Sequence, residues 1–188
     1  MNIKLYMQHC KTRVLGPAHR YALWVQGCNK RCPGCISPDA QLLDGGYTVE
    51  VECLVHEILS QPDIEGITIS GGEPYLQQAA LCELIDAVRS QRDFGVIVYT
   101  GMNYEEVAEQ PLTKCCDLLI DGEYIDALND DLSLRGSSNQ RIICITNRYA
   151  SIVDNYYGRP GRKMEFLLND GKMSMVGIPS KSAKEMLK

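Results

Sequence analysis

Three cysteines near the start of the chain, Cys28, Cys32 and Cys35, lie within one short stretch. Such short spacers bring several thiolates to one centre, as a zinc ion or an iron–sulfur cluster requires. The stretch supplies three ligands, whereas a closed zinc site needs four, and neither His9 nor His19 completes a regular ligand pair. The spacing therefore favours an iron–sulfur cluster that leaves one iron open for a substrate or cofactor, and zinc remains the alternative.

A second candidate site is the run Gly71-Gly72-Glu73-Pro74, which follows the β-branched residues 66–70. Two glycines directly after a buried strand allow a ligand to approach the backbone closely. The carboxylate of Glu73 can accept hydrogen bonds from an ammonium group. The alternative is an ordinary strand-to-helix turn in which this acid only faces the helix dipole.

The elements that must position these residues alternate between buried strands and amphipathic helices, which predicts an α/β fold with a mostly parallel sheet. Ligands of such sheets bind beyond the carboxyl ends of the strands. The cysteines, the Gly-Gly-Glu run, Thr100, Gly101 and Asp121 all follow predicted strands, so we expect them at one rim. The predicted elements are strands at 3–7, 21–26, 66–70, 95–101 and 116–122, helices at 48–60, 77–91 and 104–109, and either a strand or a helix at 141–147.

The end of the chain differs in pattern, and we divide the sequence into a core domain, 1–150, and a C-terminal extension, 151–188. Two strand-like runs, 164–168 and 172–176, flank Asn-Asp-Gly at 169–171, which predicts a β-hairpin. A short basic helix is expected to close the chain. Three hairpin methionines are expected to serve packing: Met164, Met173 and Met175.

Composition excludes several classes of protein. The chain has 188 residues, enough for one sizeable core, and a net charge of -5 without a basic block, so nucleic-acid binding has no support. No apolar run reaches the length of a membrane span, and the first residues lack the apolar core of a signal peptide. Nine cysteines, an odd number without a secretion signal, predict reduced thiols in the cytoplasm.

Together, the C-x3-C-x2-C spacing and the later Gly-Gly-Glu-Pro run resemble the radical S-adenosylmethionine (SAM) enzymes. The resemblance implies a partial, barrel-like (βα) parallel sheet with helices outside. It also implies a [4Fe–4S] cluster held by the three cysteines and SAM bound to the open iron, with Gly71, Gly72 and Glu73 at the SAM amino group. In that family, one electron from the cluster splits SAM, and the resulting 5′-deoxyadenosyl radical takes a hydrogen atom from the substrate.

A narrower resemblance, over residues 15–145, is to the activating proteins of anaerobic ribonucleoside-triphosphate reductase. It is carried by Trp-Val-Gln-Gly-Cys at 24–28, Cys-Pro-Gly-Cys at 32–35, Tyr-Thr-Gly at 99–101, Asp-Leu-Leu-Ile-Asp-Gly at 117–122 and the polar run 135–141. This resemblance implies a glycyl radical formed on a large reductase partner, with a flavodoxin- or ferredoxin-type electron donor.

The other matched positions have more than one interpretation. Thr100 and Gly101 are expected to contact the ribose or methionine part of SAM, and Asp121 a ribose hydroxyl; loop capping is the alternative for each. The polar run 135–141 is expected to form a lid, a docking surface or a solvated loop.

The alternative functions are a radical SAM enzyme acting on another protein, peptide or small molecule, and a non-catalytic iron–sulfur or zinc protein.

Overall fold

The computed structural model of the protein describes residues 1–157, 160–169 and 172–186. Over these residues, seven strands form one sheet and two more form a separate hairpin. The strands are β1 (Asn2–Thr12), β2 (Arg20–Val25), β3 (Tyr47–Glu50), β4 (Gly66–Gly71), β5 (Gly95–Tyr99), β6 (Leu118–Asp121), β7 (Arg141–Cys144), β8 (Met164–Asn169) and β9 (Lys172–Gly177).

The large sheet has the order β3-β1-β2-β4-β5-β6-β7. Its four central strands, β2, β4, β5 and β6, run parallel, while β1, β3 and β7 pair antiparallel at the two edges. The predicted α/β class and the mostly parallel central sheet are therefore confirmed. The barrel-like closure is not, because over the described residues the sheet is open, with β3 at one edge and β7 at the other.

Helices and the hairpin cover the two faces of this sheet. After its first residue, strand β2 is apolar because both of its faces are buried: Tyr21 and Leu23 face one hydrophobic core, while Ala22 and Trp24 face another. None of the described helices is long and apolar enough to cross a membrane. The helices are α1 (Val51–Leu59), α2 (Gln78–Arg89), α3 (Tyr104–Val107), α4 (Pro111–Cys115), α5 (Ala150–Tyr157) and α6 (Lys181–Met186).

The first core lies under α1, α2 and α4, and the second face is covered by the end of the chain. On that second face, Trp24 and Leu15 pack with Val176 of β9, and Tyr149 and Val153, at α5, pack against β5 and β6. Strands β8 and β9 pair antiparallel, as the hairpin prediction requires. The predicted turn at 170–171 lies outside the described residues, and the domain division at residue 150 remains a prediction.

A buried arginine joins the amino-terminal ends of the parallel strands, opposite the predicted rim. Arg20 of β2 donates hydrogen bonds to the Thr68 hydroxyl (2.6 Å), the Gly95 carbonyl (3.1 Å) and the Tyr149 hydroxyl (2.9 Å), and pairs with Glu65 (2.5 Å). A buried guanidinium is tolerated only when its donors are paired, as they are here. This end of the sheet is therefore closed by structural contacts, which leaves the carboxyl ends for chemistry.

One predicted element differs from the structure, and the structure assigns one segment that the sequence left undecided. Thr48 was expected to begin a helix, but Tyr47–Glu50 forms strand β3, and the helix starts at Val51. The reason is tertiary, because this segment pairs with residues 2–5 of β1. The undecided segment 141–147 forms β7 over Arg141–Cys144. Helices α4 and α5 were not predicted.

Candidate active site

A cavity of about 380 Å³ opens at the carboxyl ends of β2, β4 and β5. This volume lies within the range of about 300–1,000 Å³ that small-molecule sites occupy. We call the wall formed by Cys28 and residues 70–73 and 99–101 the strand-end rim. Eight of the nine predicted site residues line the cavity, and Asp121 is the exception. The eight are Cys28, Cys32, Cys35, Gly71, Gly72, Glu73, Thr100 and Gly101.

The cysteine loop is fixed to the sheet by backbone hydrogen bonds on both sides. The Gly27 N–H donates to the Ala40 carbonyl (2.7 Å), and the Glu73 N–H donates to the Gly27 carbonyl (2.7 Å). The side-chain amide of Gln26 donates to the carbonyls of Asp39 (2.9 Å) and Leu42 (2.5 Å), which closes the far end of the loop. The first cysteine therefore leaves the end of β2 in a defined direction.

The three thiols form a donor set that suits an iron–sulfur cluster. Cys28 is buried, Cys32 and Cys35 are half-buried, and the Cys35 N–H donates to the Cys32 carbonyl (3.2 Å). Among the described residues, no three metal-binding side chains converge on a single ion. A four-iron cluster makes no such demand, because each cysteine thiolate binds a different iron. Three thiols around a roomy cavity therefore fit a cluster with one open iron.

The thiol of Cys32 is protonated in the cluster-free protein. Burial raises its pKa to about 11; a backbone N–H bond from Tyr124 opposes this shift, and the nearby Glu123 carboxylate adds to it. Since the thiolate is the form that binds metal, assembly of a cluster must displace this proton.

The two glycines at the end of β4 have a packing reason that the sequence did not reveal. Gly71 has a φ of 101°, and a Cβ atom there would lie 2.5 Å from the Val25 nitrogen. A Cβ atom at Gly72 would collide with the carbonyl oxygen of Gly27. The end of β4 thus lies directly against the start of the cysteine loop, and any larger residue would separate the two parts of the cavity.

Glu73 joins the ends of β4 and β5. Its side chain is 1% exposed, and it accepts hydrogen bonds from the Thr100 hydroxyl (2.8 Å), the Gly101 N–H (3.0 Å) and the Tyr75 N–H (3.2 Å). Burial raises the pKa of this carboxyl group, against the hydrogen bonds and the charge of Lys30, which lower it. The carboxylate therefore sets the positions of Thr100 and Gly101, which directly follow β5 and line the cavity.

Asp121 ends β6, but its side chain is engaged elsewhere. It is 1% exposed and accepts hydrogen bonds from the Tyr104 N–H (2.7 Å) and the Arg141 guanidinium (2.5 Å). Arg141 also pairs with Glu105 (2.8 Å), and this partner lowers the pKa of Glu105 to about 2. These contacts tie β6 to β7 and to the start of α3, and a bond to a ribose hydroxyl stays a prediction.

Part of the polar run 135–141 forms another wall of the cavity. Gly136 and Gln140 line it, and the Gln140 side chain accepts from the Gly136 N–H (2.7 Å) and donates to the Gly122 carbonyl (2.8 Å). The run is thus folded upon itself and fastened to the end of β6.

Nothing in the sequence indicated that the end of the chain also reaches the cavity. Met173 and Met175 of β9 line it, together with Gly177 and Ile178. The predicted packing role of these methionines is therefore incomplete, although Met164 is absent from the lining residues. We call residues 160–169 and 172–186 the C-terminal segment. The alternation along β9 was visible, but nothing in it indicated which surface the hairpin would cover.

Comparison with known proteins agrees with this donor set. Residues 14–143 match a family model described as a 4Fe-4S single cluster domain. The anaerobic ribonucleoside-triphosphate reductase-activating protein of Enterobacteria phage T4 is 30% identical over 134 residues, covering 69% of this chain and 86% of the relative. The Salmonella typhi protein of the same name is 34% identical over 139 residues, covering 68% and 89%.

A relative with a different name also matches this chain. The pyruvate formate-lyase-activating enzyme of Staphylococcus epidermidis is 35% identical over 144 residues, covering 68% of this chain and 55% of the relative. All nine predicted site residues lie within the matched range 14–143, whereas the hairpin lies beyond it. The chain belongs to the 4Fe-4S single cluster domain family and, within it, to the radical SAM activating enzymes, which carry a [4Fe–4S] cluster and use SAM.

Proposed function

We propose that this protein forms a glycyl radical on a large partner enzyme of the anaerobic ribonucleoside-triphosphate reductase type. The observation that carries the proposal is the convergence of three thiols and the ends of β4 and β5 on one cavity. The relatives named as activating proteins of that reductase, which match along most of their own length, support the choice of partner.

Cys28, Cys32 and Cys35 are proposed as the ligands of three irons, which leaves the fourth iron for SAM. When bound, the cluster supplies the electron that splits SAM into methionine and the 5′-deoxyadenosyl radical, which removes a hydrogen atom from the glycine. Gly71, Gly72 and Glu73 are proposed to contact the SAM amino group.

The chain itself supplies orientation and shielding. Thr100 and Gly101 are proposed to contact the ribose or methionine part of SAM, and the Glu73 carboxylate holds both of them in place. Trp24 and Leu15 on one side and Met175 on another provide apolar walls. A site with such walls excludes water and other hydrogen donors from a reactive radical, which directs it to the intended substrate.

The proposal extends to the surroundings of the reaction. A flavodoxin- or ferredoxin-type protein is proposed as the electron donor, because the cluster needs a strong one-electron reductant of low potential. All nine cysteines are free thiols, which supports a reducing compartment such as the cytoplasm.

The decisive experiment is anaerobic reconstitution with iron and sulfide, followed by addition of dithionite and SAM. We expect 5′-deoxyadenosine to form, and we expect a glycyl-radical doublet in the EPR spectrum when a reductase partner is added. The doublet should require SAM. Cleavage of SAM without a doublet on any reductase would indicate that the substrate is another protein, a peptide or a small molecule.

A matched pair of variants makes the first step specific. Cys32→Ala should abolish SAM cleavage, whereas Cys53→Ala, which removes an exposed thiol on α1, should leave it unchanged. If the wild-type protein forms no more 5′-deoxyadenosine than Cys32→Ala, the chain is a non-catalytic iron–sulfur protein.

A further inference from the structure

We infer that Lys184, in the C-terminal helix α6, is a positioning residue for the cysteine loop. Its ammonium group donates a hydrogen bond of 2.7 Å to the carbonyl oxygen of Gly34, which lies between Cys32 and Cys35. The two partners are 150 residues apart in sequence. The inference rests on the proposed cluster ligands and assigns a role in the same site to a residue outside the matched range 14–143.

The ammonium group of Lys184 has three donors, and each has an acceptor. Besides Gly34, these are the Asp126 carboxylate (2.5 Å) and the Tyr124 hydroxyl (3.3 Å), and the nitrogen lies 5.1 Å from the centre of the Tyr124 ring. The side chain of Lys184 is 21% exposed and that of Asp126 is 49% exposed, so water partly screens this ion pair. Charge-assisted bonds of this kind are the stronger class.

The turn between the last two cysteines is held from a second direction. Gly34 has a φ of 72°, and a Cβ atom there would lie 3.2 Å from the Asp126 carboxyl carbon. The backbone of Tyr124 lies near the Cys32 thiol and lowers its pKa, against the effect of burial. The turn thus lies between the segment that follows β6 and the end of α6. Both Tyr124 and Asp126 contact the turn and Lys184 at once, so the three form one support.

This support has two consequences for the cluster. It fixes the direction of the Gly34 carbonyl, and therefore the separation of the flanking thiols, before iron arrives, which lowers the entropy lost on assembly. It also places a charge pair, Lys184 with Asp126, beside the cluster loop. Nearby charge influences the reduction potential of a cluster, and an added electron is stabilised by a cation and opposed by an anion.

The test uses reconstituted protein and two substitutions on one helix. Lys184→Met removes the contact to Gly34, while Lys181→Met makes the same change at an exposed lysine of α6. We expect Lys184→Met to lose its cluster to a chelator about tenfold faster, as loss of a charge-assisted hydrogen bond implies. We also expect its midpoint potential to fall, and Lys181→Met to match the wild type in both measurements.

Two further variants separate positioning from simple loss of folding. Lys184→Arg keeps a cation that can reach Gly34 and should restore slow cluster loss. Asp126→Asn removes the anion and should shift the midpoint potential upward, opposite to Lys184→Met. Equal behaviour of Lys184→Met and Lys181→Met, or potential shifts of the same sign in Lys184→Met and Asp126→Asn, would overturn the inference. Neither SAM nor a reductase is needed, so failure of the proposed function would be seen separately.

Discussion

The strand-end rim and the C-terminal segment line the same cavity, but different forces hold them there. The rim continues the central parallel strands, and the buried Glu73 carboxylate links two of their ends. The C-terminal segment instead lies across the sheet through side-chain contacts, such as Val176 against Trp24. Arg162 adds hydrogen bonds to the carbonyls of Leu132 (2.8 Å) and Arg135 (2.6 Å).

This difference suggests that the rim holds the reacting groups and that the C-terminal segment encloses them. The rim lies within the range that matches the 4Fe-4S family and contains most of the predicted cofactor contacts. The hairpin and α6 lie beyond that range, yet they form part of the cavity wall and contact the cysteine loop at Gly34. We therefore expect loss of a cysteine to abolish the reaction, other changes in the rim to weaken SAM binding, and changes in the C-terminal segment to alter affinity and cluster lifetime.

The largest effect is expected from the thiols. Cys28→Ala, Cys32→Ala or Cys35→Ala should each abolish the cluster, because the two remaining thiolates would leave two of the four irons without a protein ligand. Iron content and visible absorbance after anaerobic reconstitution measure this. Cys144→Ala, at an exposed position on β7, serves as the control. A full cluster in any of the first three variants would mean that a different cysteine is the ligand.

Loss of the Glu73 carboxylate should come next. In Glu73→Ala, the Thr100 hydroxyl and the Gly101 N–H lose their acceptor, at a cost of about 1–3 kcal/mol in unfolding free energy. SAM binding, measured by calorimetry on the reconstituted protein, should weaken by about tenfold, because both residues face the cavity. The cluster absorbance should remain. Unchanged SAM affinity would show that the two strand ends hold their positions without this link.

The raised pKa of Glu73 predicts a pH dependence with a definite sign. Burial raises its pKa in the folded protein, so over the window between the unfolded and folded pKa values the folded state holds more protons. The stability contributed by this group is present at low pH and is lost as pH rises through the folded pKa. Urea unfolding of the cluster-free protein should therefore show the wild type losing stability relative to Glu73→Gln as pH increases. A wild type that gains stability relative to Glu73→Gln as pH increases would contradict the raised pKa of Glu73.

Much of the rim was predictable because its signals are local. Each central strand is a short apolar run with a glycine or polar residue at its end, and parallel strands bring those ends together. The cysteine spacing needed no tertiary information either. The explanation of Gly71 and Gly72 was incomplete, however. The sequence pattern explained them by the approach of a ligand, but contact with the cysteine loop also requires them.

The remaining features depend on contacts distant in sequence. Tyr47–Glu50 has a composition that suits a helix start, and only pairing with β1 makes it a strand. Asp121 was predicted to face the ligand because it ends a strand, but Arg141, 20 residues later, engages its carboxylate. No local pattern could indicate that Lys184 would reach Gly34. Such contacts are determined by how elements pack, which periodicity does not encode.

A moderate effect is expected from Asp121→Asn. Whether stability or SAM affinity falls distinguishes a structural role of Asp121 from a contact with the ribose. In Asp121→Asn, the buried bonds to Tyr104 and Arg141 weaken, so the unfolding free energy should fall by about 1–3 kcal/mol. SAM affinity should stay close to that of the wild type, because the side chain does not line the cavity. Thermal unfolding and calorimetry together test this. Weaker SAM binding at unchanged stability would instead assign Asp121 to the ribose.

The smallest effect is expected from the hairpin, and it decides whether the C-terminal segment contributes to the SAM site. Replacing Met173 and Met175 by Ala removes two thioether side chains from the cavity wall, and SAM affinity should fall by about two- to tenfold. Phe166→Ala is the matched control, because Phe166 pairs across the hairpin with Met175 but is exposed and lies outside the cavity. An equal loss in both variants would mean that the hairpin acts only through its own stability. Unchanged binding in the double variant would restrict the SAM site to the strand-end rim, leaving the hairpin to cover the sheet.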